Sequence, residues 1–149
     1  MRLVRFDVEG QGYALNLQVV ERVIRAVELN ALPGSPPVIR GIFSLHGRIV
    51  PVADPRRRLG LPEREIGLDD RIIIARTPKR LLALLADGNT SVVECEPEEL
   101  VKPDRVLDGL GGLEGIARLK DGLVLIHDLG RFLSLEEERS LAEALRAGD

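Results

Sequence analysis

Residues 41–59 can be laid on residues 115–133 without a gap. Gly41, Ile42, Leu45, Val50, Asp54, Arg57 and Leu59 then meet Gly115, Ile116, Leu119, Val124, Asp128, Arg131 and Leu133. Other pairs exchange one apolar residue for another, as Ile49 with Leu123 and Val52 with Ile126. Tyr13-Ala14-Leu15 is echoed more loosely by Leu82-Ala83-Leu84. We read the chain as a duplication, with halves of about 2–62 and 70–134. A period of about seventy residues is too long for a solenoid repeat. Two small β-barrels, each closing its own edges, fit a unit of this size within a single domain spanning 1–149.

The pattern along the chain agrees with a mainly β protein. Val4, Phe6 and Val8 alternate with Arg5, Asp7 and Glu9, the period of a half-buried strand. Gly10-Gln11-Gly12 is expected to turn, and Tyr13–Leu17 to return as a hairpin. Over Gln18–Ala26 the apolar residues Val19, Val20, Val23 and Ile24 fall at helical spacing, which predicts a short helix with Arg22 on its polar face. Strands are expected at Val38–Leu45 and Arg48–Val52, joined at His46-Gly47, with Pro51 marking an edge or a bulge. Asp54 should cap a helical turn with Pro55 first and Gly60 stopping it. Further strands are expected at Arg71–Arg76, Leu81–Ala86, Gly115–Leu119 and Leu123–His127, with a less regular stretch up to Gly112. Asp128 should cap a turn to Leu133. Ser134 with Glu137 is a capping box opening a final helix over about 134–147, closed by Gly148.

The composition narrows the function classes. Only three Phe, one Tyr and no Trp are present, so the core is aliphatic and nucleobase-stacking platforms are missing. A net charge of −3 also argues against nucleic acid or an anionic membrane as partner. The lone Cys95 allows no internal disulfide. Charges interrupt the first residues, so no leader is expected, and the longest apolar run, Leu81–Ala86, is too short to span a bilayer. His46 and His127 sit at strand ends with no nucleophile motif, and one Cys with two separated His makes no metal cluster. Neither an enzyme, a cofactor nor a metal is expected. The glycines of Gly109–Gly115 precede a strand rather than open a helix, which argues against a phosphate loop. Arg56-Arg57-Arg58 reads as a solvated face with Leu59 and Leu61 packing inward.

Gly41-Ile42-Phe43-Ser44-Leu45-His46-Gly47-Arg48-Ile49-Val50-Pro51-Val52-Ala53-Asp54 resembles the core segment of the CheW family of chemotaxis adaptors. Tyr13-Ala14-Leu15 with Val20 and Val23, Leu32–Pro37, Gly115–Leu119 and Leu123–Leu129 resemble further family segments, in order, over almost the whole chain. The resemblance implies two intertwined five-stranded barrels. It implies a non-enzymatic, cytoplasmic adaptor joining a CheA-type histidine kinase, through its regulatory domain, to the cytoplasmic tip of chemoreceptors. It also implies a receptor-facing groove at Val20, Arg22, Val23, Ser44 and His46. Several positions depart from the family. Its N-L-R-G reads Ser44-Leu45-His46-Gly47, and its V-x-E-[IV] reads Val20-Glu21-Arg22-Val23. The family's Glu and Arg are thus Arg22 and His46 here, which form no ion pair, while Asp54-Pro55-Arg56 replaces D-L-R. A CheW-like variant that binds the kinase without typical receptor coupling is therefore the alternative. From another class, a small oligonucleotide-binding barrel is the rival.

Overall fold

The computed structural model describes residues 1–102 and 112–147. Strands β1 (Arg2–Val8) and β2 (Gln11–Asn16) form the first hairpin. Its turn is Glu9-Gly10, with φ of 50° and 80°, one residue earlier than the glycines suggested. Both central residues at positive φ match the twist of a two-residue hairpin. A 3₁₀ turn at Leu17–Val19 leads into β3 (Val20–Arg25). Next come β4 (Ile39–Leu45), β5 (Arg48–Ala53), helix α1 (Pro55–Leu59), β6 (Arg71–Arg76) and β7 (Leu81–Glu94). The chain closes with β8 (Leu100–Val101), β9 (Leu113–Leu119), β10 (Gly122–His127) and α2 (Leu135–Ala147).

The strands make two barrels that share β7. In one, β6 pairs β3 and β7, and β7 pairs β5, which pairs β4. Mutual hydrogen bonds of 2.9 and 2.8 Å between Asn30 and Ile42 close it. In the other, β1 lies between the end of β7 and β2, and β2 pairs β10, which pairs β9. Here β8 closes on β9, with Val101 opposite Ile116. Both barrels hold one parallel pairing, Val52 with Ala83 and Ile126 with Ala14.

Alternation sorts side chains between three cores. Ile72, Ile74, Ala83 and Leu85 fill the first barrel with Phe43, Val50 and Val52. Leu3, Ala14, Val124 and Ile126 fill the second. The opposite faces of the same strands, with Val4, Phe6, Tyr13, Ile73, Leu82 and Leu84, meet between the barrels under Leu141 and Ala144 of α2. The strands are buried on both faces, so β6 and the first half of β7 read as unbroken apolar runs. Each such Ile or Leu contributes about 1.5–3 kcal/mol of burial.

Three expectations are corrected. In place of the helix expected over Gln18–Ala26 stand the end of the 3₁₀ turn and strand β3. A register shift between Val20 and Arg22 resets the pleat, so Val20 and Val23 share a face despite their odd spacing, which mimics helical periodicity. β-branched side chains at Val19, Val20, Val23 and Ile24 favour that outcome. Strand β7 runs on to Glu94 through Gly88 at φ 56°, where its register against β1 also shifts. Arg56 is not on a solvated face: it is 2% exposed. Its guanidinium grips both oxygens of Asp87 at 2.7 and 2.6 Å and Glu9 at 2.8 Å. Arg57 bonds Glu63 and the Pro37 carbonyl, and Arg58 bonds Glu137. Leu59 and Leu61 do pack against the inter-barrel core.

The turn expectations hold. Asp54 accepts from the Arg56 N–H at 3.0 Å, and Gly60 ends the turn at φ 69°. Ser134 and Glu137 exchange backbone and side-chain bonds at 2.9 and 3.1 Å. Pro51 pairs with β4 only; pairing with β7 begins at Val52, so its missing N–H breaks no ladder. Gly148 and Gly109–Gly111 lie outside the described residues, and Gly112 precedes β9.

Candidate functional site

β3 is the last strand of its sheet path, and the β4–β5 turn lies beside it. Val20 and Val23 are half-buried and pack against the inter-barrel core. Arg22 is exposed between them. His46 takes φ 50° in the turn with Gly47 at 81°, which leaves its ring in solvent. Arg22 Nη1 lies 3.4 Å from His46 Nε2. A guanidinium only donates, so the imidazole nitrogen facing it is the acceptor in this contact. Ser44 is exposed on β4. The five residues expected on the receptor-facing groove thus divide into a half-buried valine pair, one cross-element contact and a nearby hydroxyl.

An ion pair that sequence reasoning missed lies alongside. Arg48 donates to Glu21 at 2.7 Å. The Arg48 hydrogen bond holds the Glu21 carboxyl below its ordinary value, helped by the fields of Arg76 and Arg22. The carboxylate lost at position 22 therefore stands at position 21, and its cation at position 48 rather than 46. The signal was present as Glu21 and Arg48 flanking the altered pair.

Two further features are exposed. At one end of the first barrel, Val27 (41% exposed) and Leu68 (91%) join Leu29 and Ile66 around a groove of about 450 Å³. Glu28 and Glu65 rim it. On the other side, a groove of about 440 Å³ runs past Val19, Pro78, Leu129 and Gly130. His127 borders it but is buried, stacked on Tyr13 at 5.2 Å and edge-on to Phe132 at 5.7 Å. Among the described residues no three His, Cys, Asp or Glu side chains gather where a metal could be held, and no helix is long and apolar enough to cross a membrane.

Two aliphatic barrels with exposed apolar ends and charged rims define a protein-binding module, its exposed polar groups placed for contact. A family model described as the CheW-like domain matches residues 2–137. The chain belongs to the CheW-like family. It is 30% identical to the chemotaxis protein CheW of Bacillus subtilis over 141 residues, 93% of this chain and 90% of that one. To CheW of Treponema pallidum it is 22% identical over 147 residues, 95% of this chain and 86% of that one. The crystal structure of the scaffolding protein TtCheW from Thermoanaerobacter tengcongensis superposes with a TM-score of 0.82 at 28% identity, covering 91% of this chain and 94% of that one.

Proposed function

We propose that the protein is a non-enzymatic chemotaxis scaffold of the cytoplasm, joining a CheA-type histidine kinase to chemoreceptors. The observation that carries this reading is the near-complete match to CheW proteins in sequence and in fold. The kinase regulatory domain is assigned to the apolar barrel end at Val27 and Leu68, because an exposed apolar cluster is the costliest surface to leave in water. The receptor tip, a helical hairpin in the family, is assigned to Val20, Arg22, Val23, Ser44 and His46, with its apolar stripe against the two valines. Calorimetric titration with the cognate kinase regulatory domain tests the scaffold role. Binding in the micromolar range or tighter is expected, with Leu68→Ser weakening it. No heat at high micromolar concentrations removes the reading.

One observation favours a second version. Arg22 against His46 gives a receptor no ion-paired face at these two positions, so coupling to a typical tip is weakened and kinase binding is retained. Titrating a typical receptor tip and the kinase domain in parallel separates the two versions.

A further inference from the structure

The segment between α1 and β6, residues 61–70, forms one wall of the apolar end of the first barrel. It carries Ile66, which packs against the first core, and Leu68, which is 91% exposed. It contains no helix and no strand. Among the described residues a single backbone–backbone bond joins two of its members, from the Asp70 N–H to the Gly67 carbonyl at 3.1 Å. A stretch with so few backbone bonds stays ordered only where side chains hold it.

Arg64 supplies most of that hold. Its guanidinium grips both oxygens of Asp70 at 2.8 and 2.7 Å, and the same fork reaches Asp87 at 2.6 Å. It also donates to the Glu65 carbonyl at 3.0 Å. The Arg64 carbonyl accepts from Arg40 at 2.9 Å, and Arg40 is itself paired with the cap Asp54 at 2.8 Å. Asp70 is 4% exposed and accepts from the Gly67 N–H at 2.8 Å, so the carboxylate that Arg64 grips also shapes the turn. Asp87 is a fixed point, held by Arg56 and by the Glu9 N–H where β7 leaves the first barrel. A planar fork with five donors serves two carboxylates and a carbonyl at once; an ammonium lacks that geometry. Arg64 does not itself line the groove that Glu65, Ile66, Gly67 and Leu68 border.

We propose that Arg64 is a positioning residue for kinase binding. It holds residues 65–68 in the form that the kinase regulatory domain meets, so the loss of loop freedom is taken in folding and not on association. The clamp acts through the places of Ile66 and Leu68, without touching the partner. The proposal rests on the assignment of the kinase regulatory domain to the end at Val27 and Leu68.

The experiment combines calorimetry against the cognate kinase regulatory domain with native-state hydrogen exchange on the parent, Arg64→Ala, Arg64→Lys and Leu68→Ser. Arg64→Ala is expected to weaken binding roughly tenfold, through a less favourable entropy. The Gly67 and Asp70 amides should exchange roughly tenfold faster in it, while the amides of β6 keep the parent's rates. Arg64→Lys keeps the charge without the fork and should fall between the two; it decides the matter if the alanine variant does not fold. Leu68→Ser should weaken binding and leave the loop amides unchanged. Parent-like affinity of the Arg64 variants beside a weakened Leu68→Ser overturns the positioning role and leaves the kinase assignment standing. Weakened binding with parent-like exchange overturns it as well, because Arg64 is then a contact. Faster exchange throughout β6 does the same, because the loss is then global. Parent-like binding by Leu68→Ser removes the kinase assignment from this end, and the positioning role with it. If the parent does not bind the domain, the scaffold reading fails first.

Discussion

Asp54 and Asp128 cap equivalent turns, yet Asp54 is fully buried and Asp128 is partly exposed. Both accept the N–H two residues on, at 3.0 Å. The turn after Asp54 is a helix closed by Gly60; the turn after Asp128 is a three-residue 3₁₀ segment that runs on towards α2. The main difference is one side chain. Arg56 reaches the place where β7 leaves one barrel for the other and ties it to the β1–β2 turn. Arg64 extends the network, bonding Asp70 at 2.7 and 2.8 Å and Asp87 at 2.6 Å. Gly130 ties nothing. Of two capped turns with one backbone plan, one is locked by charge through Arg56 and the other, with Gly130 in its place, is not.

The largest effect expected from that contrast is on stability. Arg56→Ala leaves Asp87 and Glu9 beside an emptied, buried site. Losing one partner of a buried pair costs about 3–5 kcal/mol. Gly130→Ala should stay within about 1 kcal/mol, because its new methyl meets only the Asp128 carboxylate and Pro78 at 3.3–3.4 Å. Urea unfolding of the two variants measures both. A cost below about 1 kcal/mol for Arg56→Ala would mean that the network closes nothing.

A second contrast concerns the glycines that begin the alignment. A Cβ at Gly41 would lie 2.8 Å from the Asn30 carbonyl oxygen and 2.9 Å from Leu29 Cβ. At Gly115 it would lie 2.9 Å from Leu100 Cδ1, the end of a side chain that can turn away, and 3.4 Å from the Val101 oxygen. Gly41→Ala must therefore push backbone and should cost about 2–3 kcal/mol, whereas Gly115→Ala should cost about 1 kcal/mol. Equal losses in thermal melts would show that both closures yield alike.

Acid should reach the locked end first. Burial raises the Asp87 carboxyl, but bonds from Arg56, the Glu9 N–H and Arg64 more than offset this and hold it at about 2. Unfolded Asp titrates near 3.9, so the folded value is depressed. Its contribution is complete above about pH 4 and is lost as pH falls towards 2. The gap corresponds to about 2–3 kcal/mol. Asp70 is lowered in the same direction, chiefly by Arg64. Asp87→Asn should flatten the stability curve between pH 4 and 2, and an unchanged slope would exclude Asp87 as its source.

Most of the strands, the hairpins they form, the capped turns and the final helix were legible because each rests on a local signal: alternation, a short turn, or an Asp or Ser at a helix start. Strand β3 was not, because a bulge between Val20 and Arg22 shifts its period. The second half of β7 was hidden behind Asp87-Gly88-Asn89-Thr90, residues with little strand preference that are held by pairing with β1 and by Arg56. Arg56 itself was misread because its partners lie 31 and 47 residues away in sequence. Of the candidate groove, the closeness of positions 22 and 46 was legible, and the Glu21–Arg48 pair beside them was not.

The smallest effect on folding, and the most informative for partner choice, is expected at that groove. Under the same alignments Arg22 and His46 correspond to Ser91 and Lys120, so the second barrel has no counterpart of their contact. Both side chains are exposed, and substitutions of exposed charges usually change stability by less than about 0.5 kcal/mol. Arg22→Glu with His46→Arg turns a donor–acceptor contact into an ion pair and restores the charge order of the family. It also places a second carboxylate beside Glu21, which Arg48 already neutralises. The melting temperature should therefore not move. If position 22 faces the receptor as proposed, affinity for a typical tip should rise, because the family pattern that the chain resembles carries Glu where the parent presents Arg22. The single variant Arg22→Glu should recover part of the gain, since His46 can still donate to the new carboxylate. If parent and double variant bind the tip equally in parallel titrations, positions 22 and 46 do not select the receptor.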